Sequence, residues 1–221
     1  MKAKKALIAG ATGLVGNELL YILLEAKEYE TVTAIVRRPL SIKHPKLNEV
    51  IVDFDHLEEY SEQMAVDDVF CCLGTTIKKA KTKEVMKKID ADYPLALARL
   101  TQKLDARHFL LISSMNANPQ SKIWYSQMKG KLEEELSTVP FQTISILRPS
   151  LILGDRQEFR LGEKIGATIF QALSFLFVGP LLKVKAIEGR QVAQSMYSIA
   201  QTNRQGVNIY PSDMLQSRIT T

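Results

Sequence analysis

A short apolar run, Ala6-Leu7-Ile8-Ala9, leads directly into Gly10, Gly13 and Gly16, and then into an apolar, helix-periodic segment from Leu14 to Leu24. An apolar run of this length bounded by glycine reads as a buried strand. Strand, glycine turn and helix are together the parts of a dinucleotide-phosphate cradle. Gly10 permits a tight turn off the strand. Gly13 lets backbone N–H groups approach a pyrophosphate, and Gly16 lets the helix pack closely, its positive N-terminus facing the phosphates. The spacing G-x-x-G-x-x-G is one residue wider than the dehydrogenase G-x-G-x-x-G, so the rule applies by analogy.

A further strand follows this helix. Thr31 to Val36 is a β-branched run and reads as a second parallel strand. It ends in Arg37-Arg38, where an NAD enzyme places an acid for the ribose 2′-hydroxyl. Arginine forks a phosphate bidentately, so the pair favours NADP over NAD. Glu49 to Val52 reads as a third strand closed by Asp53-Phe54-Asp55, with a short helix from His56 to Gln63. Asp68 to Leu73 reads as a fourth strand. Gly74 and Thr75 lie at its carboxyl end, where open α/β sheets bind ligands. The lysines at 78, 79, 81, 83, 87 and 88 read as a solvated loop and helix face.

Further on, Tyr93 to Ala106 reads as a helix, Phe109 to Ile112 as a strand ending in Ser113-Ser114, and Trp124 to Ser137 as a helix. A strand from Gln142 to Leu147 runs into Arg148-Pro149, and Leu151-Ile152-Leu153 is apolar. Lys185 to Ile187 reads as a short extended piece, Arg190 to Ala200 as a helix and Gly206 to Tyr210 as a last strand, with Ser212 capping a final turn. Alternating β and α elements with near-continuously apolar strands imply a Rossmann-type doubly wound parallel sheet with helices on both faces. With no linker in 221 residues, the expectation is a single domain over 1–221, with 155–190 as a small substrate or lid region.

Hydrophobic residues at 46% and charged residues at 24% allow a substantial core. The net charge of +5 comes from scattered basic residues without aromatic interleaving, which argues against a nucleic-acid partner. The adjacent Cys71 and Cys72 read as reduced core thiols, and with them the expected location is cytoplasmic. His44, His56 and His108 are isolated and show no metal-ligand spacing. The amino-terminal lysines and apolar residues resemble a targeting segment only briefly, because the run is short and flows into the glycine turn. Ile165 to Leu182 carries no charge, but Gly179-Pro180 stops a helix short of a bilayer span. It reads as lining a substrate mouth or a subunit contact, which admits a homodimer.

Tyr125 and Lys129 are four apart on an expected helix and so share a face. The bare pattern is common by chance. Its place downstream of a phosphate cradle and of a strand ending in two serines gives it weight. A carbonyl reductase needs a proton donor beside the hydride acceptor, and a nearby ammonium favours the phenolate and lowers a tyrosine pKa from about 10. A serine hydroxyl can orient the substrate oxygen.

GATGLVG at 10–16, VRRP at 36–39, VDFD at 52–55, FCCLGTT at 70–76, DADYPLA at 90–96, LLISS at 110–114, YSQMKGKLE at 125–133 and LRPSLILGDRQEFR at 147–160 carry a family resemblance. On these stretches the chain resembles the short-chain dehydrogenase/reductase superfamily, in its atypical, Tat-interacting-protein-like oxidoreductase branch. The resemblance implies NADPH or NADH bound along the sheet edge, with Gly10, Thr12, Gly13, Leu14, Val15 and Gly16 at the pyrophosphate and Arg37 and Arg38 at the 2′-phosphate of NADP. It sets Asp53 and Phe54 beside the adenine, and Leu73, Gly74 and Thr75 against the adjoining sugar and phosphates. Tyr125 becomes the proton donor/acceptor, and Lys129 the partner of the nicotinamide ribose. Ile152 falls near the nicotinamide, Pro149 is a further cofactor-binding position, and Arg160 matches a position that reaches the cofactor. The asparagine of many relatives is here Asp90, which puts their proton relay in question. Register decides whether Ser113 or Ser114 faces the site; Ser114 is preferred. The expected activity is hydride transfer between NADP(H) and a small carbonyl or alcohol. A non-catalytic NADP-binding scaffold and a flavin- or quinone-type reductase are the alternatives.

Overall fold

The computed structural model describes residues 3–154, 185–202 and 204–217. Seven parallel strands form the central sheet in the order β3-β2-β1-β4-β5-β6-β9. They are β1 (Lys4–Ala9), β2 (Tyr29–Val36), β3 (Leu47–Ile51), β4 (Asp68–Cys71), β5 (His108–Ile112), β6 (Thr143–Arg148) and β9 (Gly206–Pro211). The order runs outward from β1 in one direction and from β4 in the other, so the chain reverses its winding between these two strands. That reversal opens a crevice at their carboxyl ends.

The alternation of side chains along β1 builds two cores. Ala6 and Ile8 face one side, where they meet Leu19, Leu20 and Leu23 of α1 (Leu14–Glu25) and Val192, Met196 and Ile199 of α6 (Gly189–Ala200). Leu7 and Ala9 face the other, against Leu97 and Ala98 of α4 (Tyr93–Lys103) and Met128 and Leu132 of α5 (Trp124–Ser137). All these helical residues are buried, and within each helix they lie on a single face.

Several local expectations change. The segment after β3 is a 3-10 helix, Phe54–Gln63, kinked at His56, because the Asp53 carboxylate accepts the Asp55 N–H and starts the turn early. Within the lysine-rich stretch the chain forms α2 (Ile77–Ala80) and α3 (Lys83–Lys87), whose first turns are capped by the hydroxyls of Thr76 and Thr82. Ser212 does not cap the last helix, α7 (Ser212–Gln216): it is the first helical residue, and its hydroxyl accepts the Ser150 N–H and donates to the Ser150 hydroxyl. A small second sheet pairs β7 (Ile152–Leu153) with β8 (Ile187–Glu188). The uncharged segment 165–182 and residues 155–184 of the expected substrate region lie outside the described residues.

The strand ends opposite the crevice hold buried polar pairs. Tyr29 donates to Asp68 at 2.6 Å, and Lys4 reaches the same carboxylate oxygen at 3.1 Å. His108 lies buried with Nε2 2.8 Å from the Ser145 hydroxyl, and burial pulls its pKa down to about 4. A depressed histidine pKa means the unfolded chain binds more protons between about pH 6.5 and 4, so stability is full above that window and falls on acidification through it. Moving from about pH 7.5 to about pH 5 should remove about 2 kcal/mol through this residue alone. Urea unfolding of His108→Gln, which keeps a polar partner for Ser145 without a charge, should show a correspondingly smaller acid loss than the parent.

Candidate functional site

The crevice floor is backbone. Gly10 leaves β1 with φ at +88°, and Cys72 N–H donates to Ala9 O at 2.8 Å. A Cβ at Gly10 would sit 2.5 Å from the Cys72 carbonyl oxygen, and one at Gly16 would run into the Gly10 carbonyl. Only hydrogen at these two positions lets β1, β4 and α1 meet. Gly13 is the N-cap residue of α1; no side chain caps the first turn and no acid lies in it. The first N–H groups of a twelve-residue helix therefore point at the crevice with their partial positive charge uncompensated by the protein. A pyrophosphate fits this cradle in charge and in backbone access. Leu14 turns its side chain away, onto Gly154 and Gly189.

The other expected cofactor residues follow the strand ends. Arg37 and Arg38 are exposed just beyond β2, as is Asp53 beyond β3. Phe54 is buried, its ring 5.2 Å from that of Tyr93. Leu73 and Thr75 are half-buried and Gly74 exposed after β4; Pro149 is buried and Ile152 half-buried beyond β6. Arg160 lies outside the described residues.

Tyr125 and Lys129 lie on α5, and the two serines on the loop that follows β5. Ser113 is buried and donates its hydroxyl to Glu133, also on α5; Glu133 in turn holds Arg148, whose Nε lies 3.1 and 3.2 Å from the two carboxylate oxygens. Ser113 is thus occupied beneath the site, and Ser114 is the half-exposed serine of the pair. Sequence reasoning misses both Glu133 and Gly130. A Cβ at Gly130 would strike the backbone of Asn118 and Pro119, so this glycine lets the serine loop lie directly on α5 beside Lys129.

Lys129 is only 2% exposed. Its ammonium points inward and donates to Asp90 O at 3.2 Å and to Ile112 O at 3.5 Å. The Asp90 carbonyl is available for a reason written in the sequence. α3, a π turn at Lys88–Asp92 and α4 are contiguous, and Pro94, four residues after Asp90, has no N–H to give that carbonyl. The proline in DADYPLA is the sequence signal for this break in the helix. The carboxylate of Asp90 accepts the Thr75 N–H at 2.7 Å.

The electrostatics differ from expectation. Burial and the Asp90 charge push the Tyr125 phenol up to about 12, rather than Lys129 drawing it down. The ammonium is spent on two backbone carbonyls, and the charge that acts on Tyr125 is the carboxylate behind it. Burial lowers the Lys129 pKa; Asp90, Cys71 and Glu133 oppose that shift. Burial raises the Cys71 thiol to about 11, so it is an inert core thiol. Among the described residues no group of three or more His, Cys, Asp or Glu could hold a metal ion, and no helix is long and apolar enough to cross a membrane.

Residues 41–176 match the HIM1 family. A rat protein, HTATIP2, is 38% identical over 177 residues, spanning 78% of this chain and 73% of its own. The chain belongs to the HIM1 family. The likeness to HTATIP2 is the one that the quoted motifs lead one to expect, and the seven-stranded parallel sheet is the expected Rossmann-type fold. Among solved structures, MoeE5 in complex with UDP-glucuronic acid and NAD superposes with a TM-score of 0.69 at 16% identity, covering 93% of this chain and 75% of that one. The oxidoreductase ylbE from Lactococcus lactis gives 0.67 at 18%, covering 97% and 96%. A relative from Debaryomyces hansenii, 33% identical over 199 residues and covering 88% of this chain and 87% of its own, is named FMP52, mitochondrial. Relatives so named overturn the expected cytoplasmic location. Free thiols report a reducing environment or burial, and neither is an address.

Spectrophotometric titration tests the tyrosine directly. The tyrosinate absorbance of the parent minus that of Tyr125→Phe should titrate near about 12 in the cofactor-free protein. A difference curve centred below an ordinary tyrosine would show the lysine dominating instead.

Proposed function

We propose that this member of the HIM1 family binds NADP(H) in the crevice and reduces a small carbonyl compound, with Tyr125 as proton donor. The observation that supports the reading is that the uncapped, glycine-floored N-terminus of α1 follows the carboxyl end of β1, while Lys129 of α5 is tied to the carboxyl end of β5 and, through Asp90, to the loop after β4, on the same edge of the parallel sheet. When bound, the nicotinamide supplies the hydride. Every other contribution belongs to the chain. The N–H groups of the first turn of α1 receive the pyrophosphate, and the exposed Arg37 and Arg38 fork a 2′-phosphate. Lys129, its ammonium pointing inward, holds the Asp90 and Ile112 carbonyls beneath Tyr125 in place of the expected ribose contact, and Ser114 holds the substrate oxygen. Tyr125, held protonated by its surroundings, gives its phenolic proton to that oxygen. A phenol that stays neutral through the physiological range suits reduction, which needs a donor; oxidation of an alcohol needs the phenolate and should accelerate toward alkaline pH.

The same raised tyrosine supports a second reading. A phenol near about 12 is a weak acid beside the optimum for proton transfer, as in a protein that binds NADP without turning over substrate. Tyr125→Phe separates the two. In a reductase, turnover followed by the reduced-nicotinamide absorbance should fall about 10²–10⁴-fold, while NADPH affinity stays near that of the parent. A binder gives NADPH affinity with no turnover on a carbonyl panel and no change in Tyr125→Phe.

Cofactor choice is tested separately. NADPH should bind more tightly than NADH, and replacing Arg37 and Arg38 together by Ala should weaken NADPH by about 1.5–3 kcal/mol, the range for a charge-assisted phosphate contact, and leave NADH nearly unchanged. Equal affinity of the parent for both nucleotides would remove the arginines from the site.

A further inference from the structure

Asp90 is a carboxylate at 1% exposure in the middle of a helix, and each of its polar ends is occupied by a different part of the candidate site. Its backbone oxygen takes the Lys129 ammonium at 3.2 Å. Its Oδ1 takes the Thr75 N–H at 2.7 Å, and a Cβ on Gly74 would lie 4.0 Å from its Oδ2. One residue thereby joins the loop after β4, which borders the crevice, to the face of α5 that carries Tyr125 and Lys129. A neutral side chain could make the backbone contact and even accept the Thr75 N–H. It could not supply the negative charge.

We propose that the Asp90 carboxylate is a positioning group with two separable roles: as acceptor it fixes the Gly74–Thr75 loop for the cofactor, and as an anion it keeps the buried Lys129 ammonium protonated. The inference rests on the reading of the crevice as an NADP(H) site. The ionisable groups facing Asp90 are Lys129 and Tyr125 from α5 and Cys71 from β4, with Glu133 acting on Lys129 from one helical turn further along. Burial holds the Asp90 carboxyl up to about 6, while Lys129 and, after it, the Thr75 N–H favour its ionised form. Tyr125 and Cys71 are neutral at that pH, since burial raises both. Of the described groups facing Lys129, Glu133 already engages Arg148 and Ser113, so Asp90 is the anion left to balance the ammonium.

Two substitutions divide the roles. Asp90→Asn keeps the shape and an acceptor for Thr75 but removes the charge; Asp90→Ala removes both. In cofactor-free protein labelled at the lysine side chains, NMR titration of Lys129 should place its pKa lower by about one unit or more in Asp90→Asn, the scale of losing an adjacent opposite charge. NADPH affinity, measured by fluorescence at about pH 7.5, should stay within about threefold of the parent in Asp90→Asn and fall about tenfold or more in Asp90→Ala, as expected for losing a hydrogen bond to a charged group. Comparing variants at one pH avoids the 2′-phosphate, which itself titrates near about 6. An unmoved Lys129 titration in Asp90→Asn overturns the charge role, and undiminished NADPH affinity in folded Asp90→Ala overturns the tether. If Asp90→Ala does not fold, the Lys129 titration in Asp90→Asn decides the charge role, and a loss of NADPH affinity beyond about threefold in that folded variant overturns the separation of roles. Neither readout is turnover. A parent protein that binds NADPH yet reduces no carbonyl refutes the reductase reading and leaves this inference standing, whereas a parent that binds no NADPH refutes both.

Discussion

Direct backbone contact between the ends of β1 and β4 sets the geometry on which the rest of the site depends. Gly10 lies so close to Cys72 that any side chain would meet the Cys72 carbonyl. The chain turns off β1 at positive φ, and α1 starts against that turn because Gly16 also lacks a side chain. From this point α1 passes to one face of the sheet and α4 to the other, which is what opens a crevice between them. A sheet wound in one direction would close the same space with a helix.

The second constraint is the burial of Lys129. An ammonium is taken out of water only where carbonyls and a counter-charge replace the lost hydration. Here Ile112 O comes from the end of a strand, and Asp90 O from a helix that Pro94 prevents from closing its own hydrogen bond. The lysine therefore joins β5, α5 and the helix before β5 in one hydrogen-bonded group. Glu133 does the same one turn along, with Ser113 and Arg148. Between them these groups fix how α5 lies on the sheet, and so where Tyr125 stands.

Much of this is legible in the chain. Apolar strand runs, glycine spacing and βα alternation lead to the parallel sheet, and the helix Trp124–Ser137 is placed to the residue. The motifs point to the superfamily from the residues alone. The features that escape have a common cause: they depend on contacts between segments far apart in sequence. Nothing local marks Gly130 as the point where a loop presses on a helix, or Glu133 as the partner of Arg148. The Tyr125 shift runs against the sequence expectation because four-residue spacing puts a lysine on the same face without saying where its ammonium points. The π turn is different, since Pro94 announces it to a reader who asks which carbonyl that proline leaves free. As part of a family motif alone, the same proline carries no such message.

That π turn also dictates which changes of chain length the protein can absorb. It amounts to an α-helix holding one surplus residue. Removing Ala91 or Asp92 would take up that surplus residue, while Pro94 would still withhold its own helical hydrogen bond. Everything on its amino-terminal side would then rotate by about 100° and shift by about 1.5 Å relative to α4. Asp90 would leave both Thr75 and Lys129, although no side chain of the site had been altered. The exposed junction between α2 and α3 makes no such demand. Homologous chains can therefore vary in length there, while the count of residues from Lys88 to Pro94 is as much a part of the site as the residues themselves.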